Sequence, residues 1–191
     1  MKFFDSCSYL LLVVLLFSCG ARQNATITEM EFSVDSTLVN SEVKDSVLHI
    51  AYKVPSEWTA VPTNDSSLSQ LNAGGIRLSN LLKNAAGTVV FSVSDVREVA
   101  DSIFRNMDAN YKTSLNPSGA WTNVEKAEFR TKEFEVKQFV LSKQGQTLFK
   151  MLFGDKQRPS FQIDYSIVID SAYATNTKTL ESIIGSLHRY H

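Results

Sequence analysis

The sequence predicts an α+β domain: an antiparallel sheet with helices packed on it. Three observations carry this. Apolar and polar residues alternate through most of the chain beyond residue 27, the period of half-buried strands. Two segments, Val96–Tyr111 and one beginning near Thr177, space their apolar residues at helical intervals instead. No repeat, low-complexity block or Pro/Gly-rich linker divides residues 27–191, so a single domain is expected there.

Met30, Phe32 and Val34 alternate in a first expected strand, and a polar stretch, Asp35–Asp45, follows. Leu48, Ile50, Tyr52 and Val54 share one face of a second strand, which Pro55 ends because it has no N–H to donate. Asp65–Asn72 suits a short helix before Gly74-Gly75. Ile76–Leu82 and Thr88–Ser94 bracket Lys83-Asn84-Ala85-Ala86-Gly87, a hairpin with a glycine-bearing turn, the alternative being that the Leu81-Leu82 segment is helical.

Within Val96–Tyr111, Val99, Ile103, Met107 and Tyr111 recur every four residues with Phe104 beside them, and Asp95 suits the N-cap. Asp101 to Arg105 and Asp108 to Lys112 are acid-before-base pairs at i,i+4, expected on the solvent side. Phe129 lies in a further strand, Phe134–Leu141 continues the sheet, and Gln144-Gly145 turns the chain into Thr147–Phe153. Phe161, Ile163, Tyr165, Ile167 and Ile169 alternate without a fault in the last strand. The closing helix carries Leu180, Ile183, Ile184 and Leu187 on one side.

The amino terminus is of another kind. Tyr9–Phe17 is an unbroken run of nine aromatic and aliphatic residues behind Lys2, with Asp5 between them. Nine helical residues cover about 14 Å, well short of the roughly 30 Å of a bilayer core, so the run suits a secretory signal rather than a span. It ends Leu16-Phe17-Ser18-Cys19, which resembles a lipobox: cleavage before Cys19 and acylation of its thiol are expected. The alternative is ordinary cleavage after the small residues Cys19-Gly20-Ala21, leaving a soluble product. Residues 1–18 are thus expected to be a signal peptide, and 19–26 a lipidated cysteine and tether. Seven extended residues, Gly20–Thr26, reach at most about 25 Å. With residues 1–18 removed, 173 of the 191 remain; the 19 basic and 20 acidic residues become 18 and 19, and the net charge stays −1. Such a balance gives no electrostatic case for nucleic acid. Cys7 leaves with the signal and Cys19 takes the lipid, so no thiol is left for a disulfide, a cysteine nucleophile or a thiolate metal site.

Two resemblances add to this. The Ser18-Cys19-Gly20 junction resembles lipoproteins of the Bacteroidota, which implies an envelope location; the acidic residues associated there with surface export do not follow Cys19, so the periplasmic face is expected, with surface display as the alternative. Further along, a strand ending Val54-Pro55 with Trp58, a hairpin, a long helix and a run of strands lead to Phe161-Gln162-Ile163-Asp164-Tyr165 and the helix Leu180–Leu187. This order is similar to the PsbP-like α/β/α sandwich over roughly Val47–Tyr190. That superfamily includes a photosystem extrinsic subunit, a nuclear-transport accessory factor and many bacterial lipoproteins. The resemblance implies binding or steadying of other proteins rather than catalysis.

The chemistry-bearing residues are few. Among the histidines, His49 is expected on the strand face opposite Leu48 and Ile50, as a structural or exposed residue rather than a base. His188 and His191, at i,i+3 on the final turn, are a possible but frayed metal pair. Asp164 and Asp170, six residues apart in a strand, would be about 20 Å apart, too far for paired-carboxylate chemistry. Trp58 is expected in the core. Trp121 follows the turn-rich Asn116–Ala120; core packing is the preferred reading, and as the alternative it is the candidate partner contact. The charges of Glu125–Lys137 suit the solvent side of amphipathic strands. Asp-Ser tripeptides resemble a Bacteroidota O-glycosylation signal; Ser36 and Ser46 border a loop and are the candidate acceptors, ahead of Ser102 and Ser171.

Three functions follow in order of preference. The first is a non-catalytic envelope lipoprotein, held to the membrane by its lipid, that binds a protein partner without a cofactor. The second is a binder of a small or apolar ligand. The third is an enzyme with a dispersed site, with His49 as its one named base.

Overall fold

The computed structural model describes residues 27–63, 74–155 and 158–190, together with Leu68 and Asn72. The signal, Cys19, the tether, most of the short helix expected over 65–72, and His191 lie outside the described residues.

The strands are β1 (Thr28–Glu29), β2 (Ser41–Asp45), β3 (Ile50–Val54), β4 (Thr59–Ala60), β5 (Arg77–Lys83), β6 (Val89–Asp95), β7 (Asn123–Arg130), β8 (Glu135–Lys143), β9 (Gln146–Gly154), β10 (Pro159–Val168) and β11 (His188–Arg189). The helices are α1 (Asp101–Ala109), α2 (Tyr111–Ser114) and α3 (Tyr173–Ser186). Eight strands form one sheet in the order β1-β7-β8-β9-β10-β6-β5-β4, antiparallel except for the β1–β7 pair, and β11-β3-β2 form a second. The fold class is therefore α+β, a large antiparallel sheet with helices on it.

The two faces of the large sheet are covered differently. One carries α3 and the small sheet, closing over Phe91, Phe153, Phe161, Ile163 and Tyr165 from the large sheet and Tyr52 from β3. The Tyr165 hydroxyl donates to the Asn176 carbonyl at 2.9 Å, fixing α3 to β10. The other face carries α1 and α2, whose Phe104, Met107 and Tyr111 lie over Val124, Phe139, Leu141 and Leu152. That gives helix, sheet, and helix-plus-small-sheet layers.

Several elements differ from expectation. The Met30–Val34 strand does not form: only Thr28–Glu29 pairs, and Met30 and Val34 are exposed. Phe32 alone packs inward, edge-on to Phe129. The polar stretch Asp35–Asp45 contains β2, whose Glu42 and Lys44 face solvent and whose Asp45 is buried, while its backbone pairs with β3. Leu48 and His49 belong to the β2–β3 turn, where His49 has φ 54°, so His49 has no strand face. The first helix starts at Asp101 with Ala100 before it, not at Val96; Asp95 ends β6 and binds Arg97 instead of capping. α3 begins a turn earlier than Thr177, at Tyr173. The last strand stops at Val168, leaving Ile169 exposed.

Candidate functional site

Helix α1 lies on its sheet without a single fully buried residue, and Ile103, expected on its apolar stripe, is 52% exposed. What fixes it is charge. Asp108, expected on the solvent side with Lys112, turns to the sheet: Lys126 Nζ of β7 is 2.5 Å away and Lys137 Nζ of β8 2.9 Å. Burial raises the Asp108 pKa, but the hydrogen bonds and charges of the two lysines outweigh it, and the carboxyl titrates below its ordinary value. At the helix start, the Arg158 guanidinium donates to the carbonyls of Arg97 (2.7 Å) and Val99 (3.1 Å) and pairs with Asp101 at 3.2 Å. Asp101 thus reaches across to Arg158 rather than pairing with Arg105. Arg158 lies close against the end of β9, where Gly154 is obligatory: a Cβ there would come within 2.2 Å of the Arg158 carbonyl oxygen.

Held by its ends and not by its middle, α1 leaves a cleft of about 160 Å³ between itself and strands β8 and β9. Phe104, Met107, Phe139 and Leu152 make its apolar floor, and Asp101, Arg105, Asp108, Glu135, Lys137 and Arg158 stand around it. Sequence reasoning found the helix but not the cleft, because its walls come from three separate stretches of chain.

A second polar centre ties the two sheets together. Asp45, 3% exposed, accepts the N–H groups of Val47 and Leu48 at 3.0 Å, the Ser79 hydroxyl, and Asn80 Nδ2 at 2.8 Å. Arg97 bridges from Asp95 (Nη2 to Oδ2, 2.7 Å) to the Val47 carbonyl at 3.3 Å. Hydrogen bonds from Arg97 lower the Asp95 pKa against the effect of burial, and the pairing raises that of Arg97. Nearby in β3, burial and the Asp45 charge push the Tyr52 phenol up. Every oxygen of Asp45 is engaged within the fold, so this centre is a joint between sheets rather than an open site.

The other candidates are placed as follows. Trp58 is part-buried, stacked with Tyr165 and tilted against Phe91, each at 6.1 Å, which is the core role expected of it. Trp121 is half-buried against the α1–α2 cluster, with Lys143 Nζ 4.9 Å over its ring. Asn116 clasps its backbone, accepting the Trp121 N–H at 2.9 Å and donating to its carbonyl at 2.8 Å. Ser36 and Ser46 are exposed in turns, Ser36 beside the Asp35 carboxylate that binds Thr37, and Ser46 between β2 and β3. His188 is in β11 opposite Ala51, with Nδ1 2.9 Å from the Ser186 carbonyl. Asp164 pairs with Lys150 at 2.8 Å, and Asp170 accepts the Ala172 N–H at the entry to α3. Among the described residues, no three His, Cys, Asp or Glu side chains converge as metal ligands.

No protein-family model matches this chain, and no curated protein matches it in sequence. Solved structures similar to it include cyanobacterial PsbP from Synechocystis sp. PCC 6803, at 11% identity and TM-score 0.46, covering 91% of this chain and 99% of that one. The Ran-binding protein Mog1p of Saccharomyces cerevisiae is similar at 13% identity and TM-score 0.47, over 82% and 96% of the two chains. A protein of Bacteroides thetaiotaomicron is similar at 13% identity and TM-score 0.42, over 79% of this chain and 48% of its own. Likenesses at these scores carry nothing about function; the chain is an α+β sandwich on the evidence of its own strands and helices.

Proposed function

We propose that this protein is a non-catalytic envelope lipoprotein, anchored through Cys19 and facing the periplasm, that binds a protein partner through the cleft beneath α1. The cleft carries this reading: an apolar floor rimmed by charges of both signs has the makeup of an interface anchor point, where a buried apolar contact is ringed by polar groups. The large core on the opposite face is filled by its own aromatic rings. Support for the anchor is the Leu16-Phe17-Ser18-Cys19 junction.

The test is site-specific photo-crosslinking in intact cells from position 103 on α1, with position 83 at the end of β5 as control. The expected result is one dominant protein adduct from position 103 and none from 83, weakened when Cys19→Ala removes the lipid. Matching adduct patterns from both positions would overturn the reading.

A further inference from the structure

We propose that the cleft beneath α1 takes a protein segment presenting an aromatic side chain beside an acidic one, the ring entering the cleft and the carboxylate pairing with Arg105. This rests on the partner-binding reading above and states the chemistry of that partner.

The lining carries the first half. The cleft, about 160 Å³ and open on one side, has room for one aromatic ring. Its floor of Phe104, Met107, Phe139 and Leu152 supplies the ring edges and the soft thioether that an aromatic guest packs against.

Charge fixes the second half. The four acids at the rim are already engaged: Asp101 by Arg158, Asp108 by Lys126 and Lys137, Glu135 by Arg130, and Asp155 by the Arg158 N–H at 3.0 Å. So are two of the three bases, Lys137 and Arg158. Arg105 is the exception. It is exposed, lines the cleft, and has no partner among the described residues. An incoming cation would have to compete for engaged acids, whereas an incoming carboxylate finds a free planar guanidinium that can hold it through two parallel N–H bonds. The ring supplies affinity, and the exposed ion pair supplies selectivity and a salt dependence.

The experiment uses the full chain in detergent and the fluorescein-labelled peptide Gly-Ser-Phe-Glu-Ser-Gly as probe, read by anisotropy. The expected result is binding that falls about tenfold or more when the peptide's Phe becomes Ala or its Glu becomes Lys. Arg105→Glu should weaken the parent peptide to a similar degree and restore the Lys peptide, with unchanged circular dichroism. No binding, equal binding of the three peptides, or no rescue by charge exchange would overturn the proposal. Crosslinking from position 103 without peptide discrimination would leave the partner reading standing and remove this chemistry. Discrimination without a cellular adduct would keep the chemistry and remove the partner reading.

Discussion

The two faces of the large sheet are built on opposite terms. Under α3 and the small sheet, rings from four strands and the β7–β8 connection interlock: Tyr52 with Phe91 at 5.5 Å, Phe134 edge-on to Phe161 at 5.4 Å, and Phe153 stacked on Phe161 at 5.0 Å. Under α1 no helical residue is fully buried, and ion pairs hold the helix by its two ends. Apolar burial is non-directional and grows with area, whereas an ion pair fixes position with little net stability. One face therefore carries the stability, and the other keeps a positioned, accessible surface.

The widest gap between the faces should appear in side-chain deletion. Phe91→Ala removes a fully buried ring and should cost about 3–5 kcal/mol in chemical unfolding. Phe104→Ala removes a half-buried ring on the other face and should cost about 1–2 kcal/mol; equal losses would break the comparison. Next comes Gly185→Ala. Its Cβ would lie 2.5 Å from the Phe32 carbonyl oxygen, so the segment before β2 must shift, at about 1–3 kcal/mol.

Asp108→Asn should cost less, about 1 kcal/mol at neutral pH, and its effect should depend on acidity. The native carboxyl titrates below the 3.8 of an unfolded aspartate, so the unfolded chain binds the proton first. Its contribution is complete above that value and lost as pH falls through the lower native one. The gap between wild type and Asp108→Asn, measured by urea midpoints, should therefore be constant near neutrality and close in acid. Smallest of all, Arg105→Gln should change stability by no more than about 0.5 kcal/mol, while removing the proposed carboxylate contact.

How far these differences were legible depends on the kind of signal. The β5–β6 hairpin lies within one residue of its expected ends, because Gly87 at φ 68° forces the turn. The alternation from Phe161 to Ile167 gave the central strand, since all four apolar residues face one core. β2 was hidden because Ser41-Glu42-Val43-Lys44-Asp45 pairs at a sheet edge, where backbone bonds rather than apolar side chains define the strand. Asp95 has the chemistry of a helix cap, yet Arg97 two residues on offers a stronger partner than a backbone N–H. Asp101 and Asp108 look like solvent-side partners of Arg105 and Lys112. The sheet offers Lys126, Lys137 and Arg158 instead, from positions no helical spacing reveals. The unpartnered state of Arg105, on which the cleft's proposed selectivity turns, follows from that exchange.

The small sheet also sets an order in time. β3 forms near the start of the chain, but its neighbour β11 is made from His188 and Arg189, and Ser182 in α3 accepts the N–H of Asp35 at a separation of 147 residues. Contacts this distant in sequence slow the search for the native state. A chain emerging from its amino terminus could build the β5–β6 hairpin early, yet must wait for residues 182–189 before the aromatic core closes.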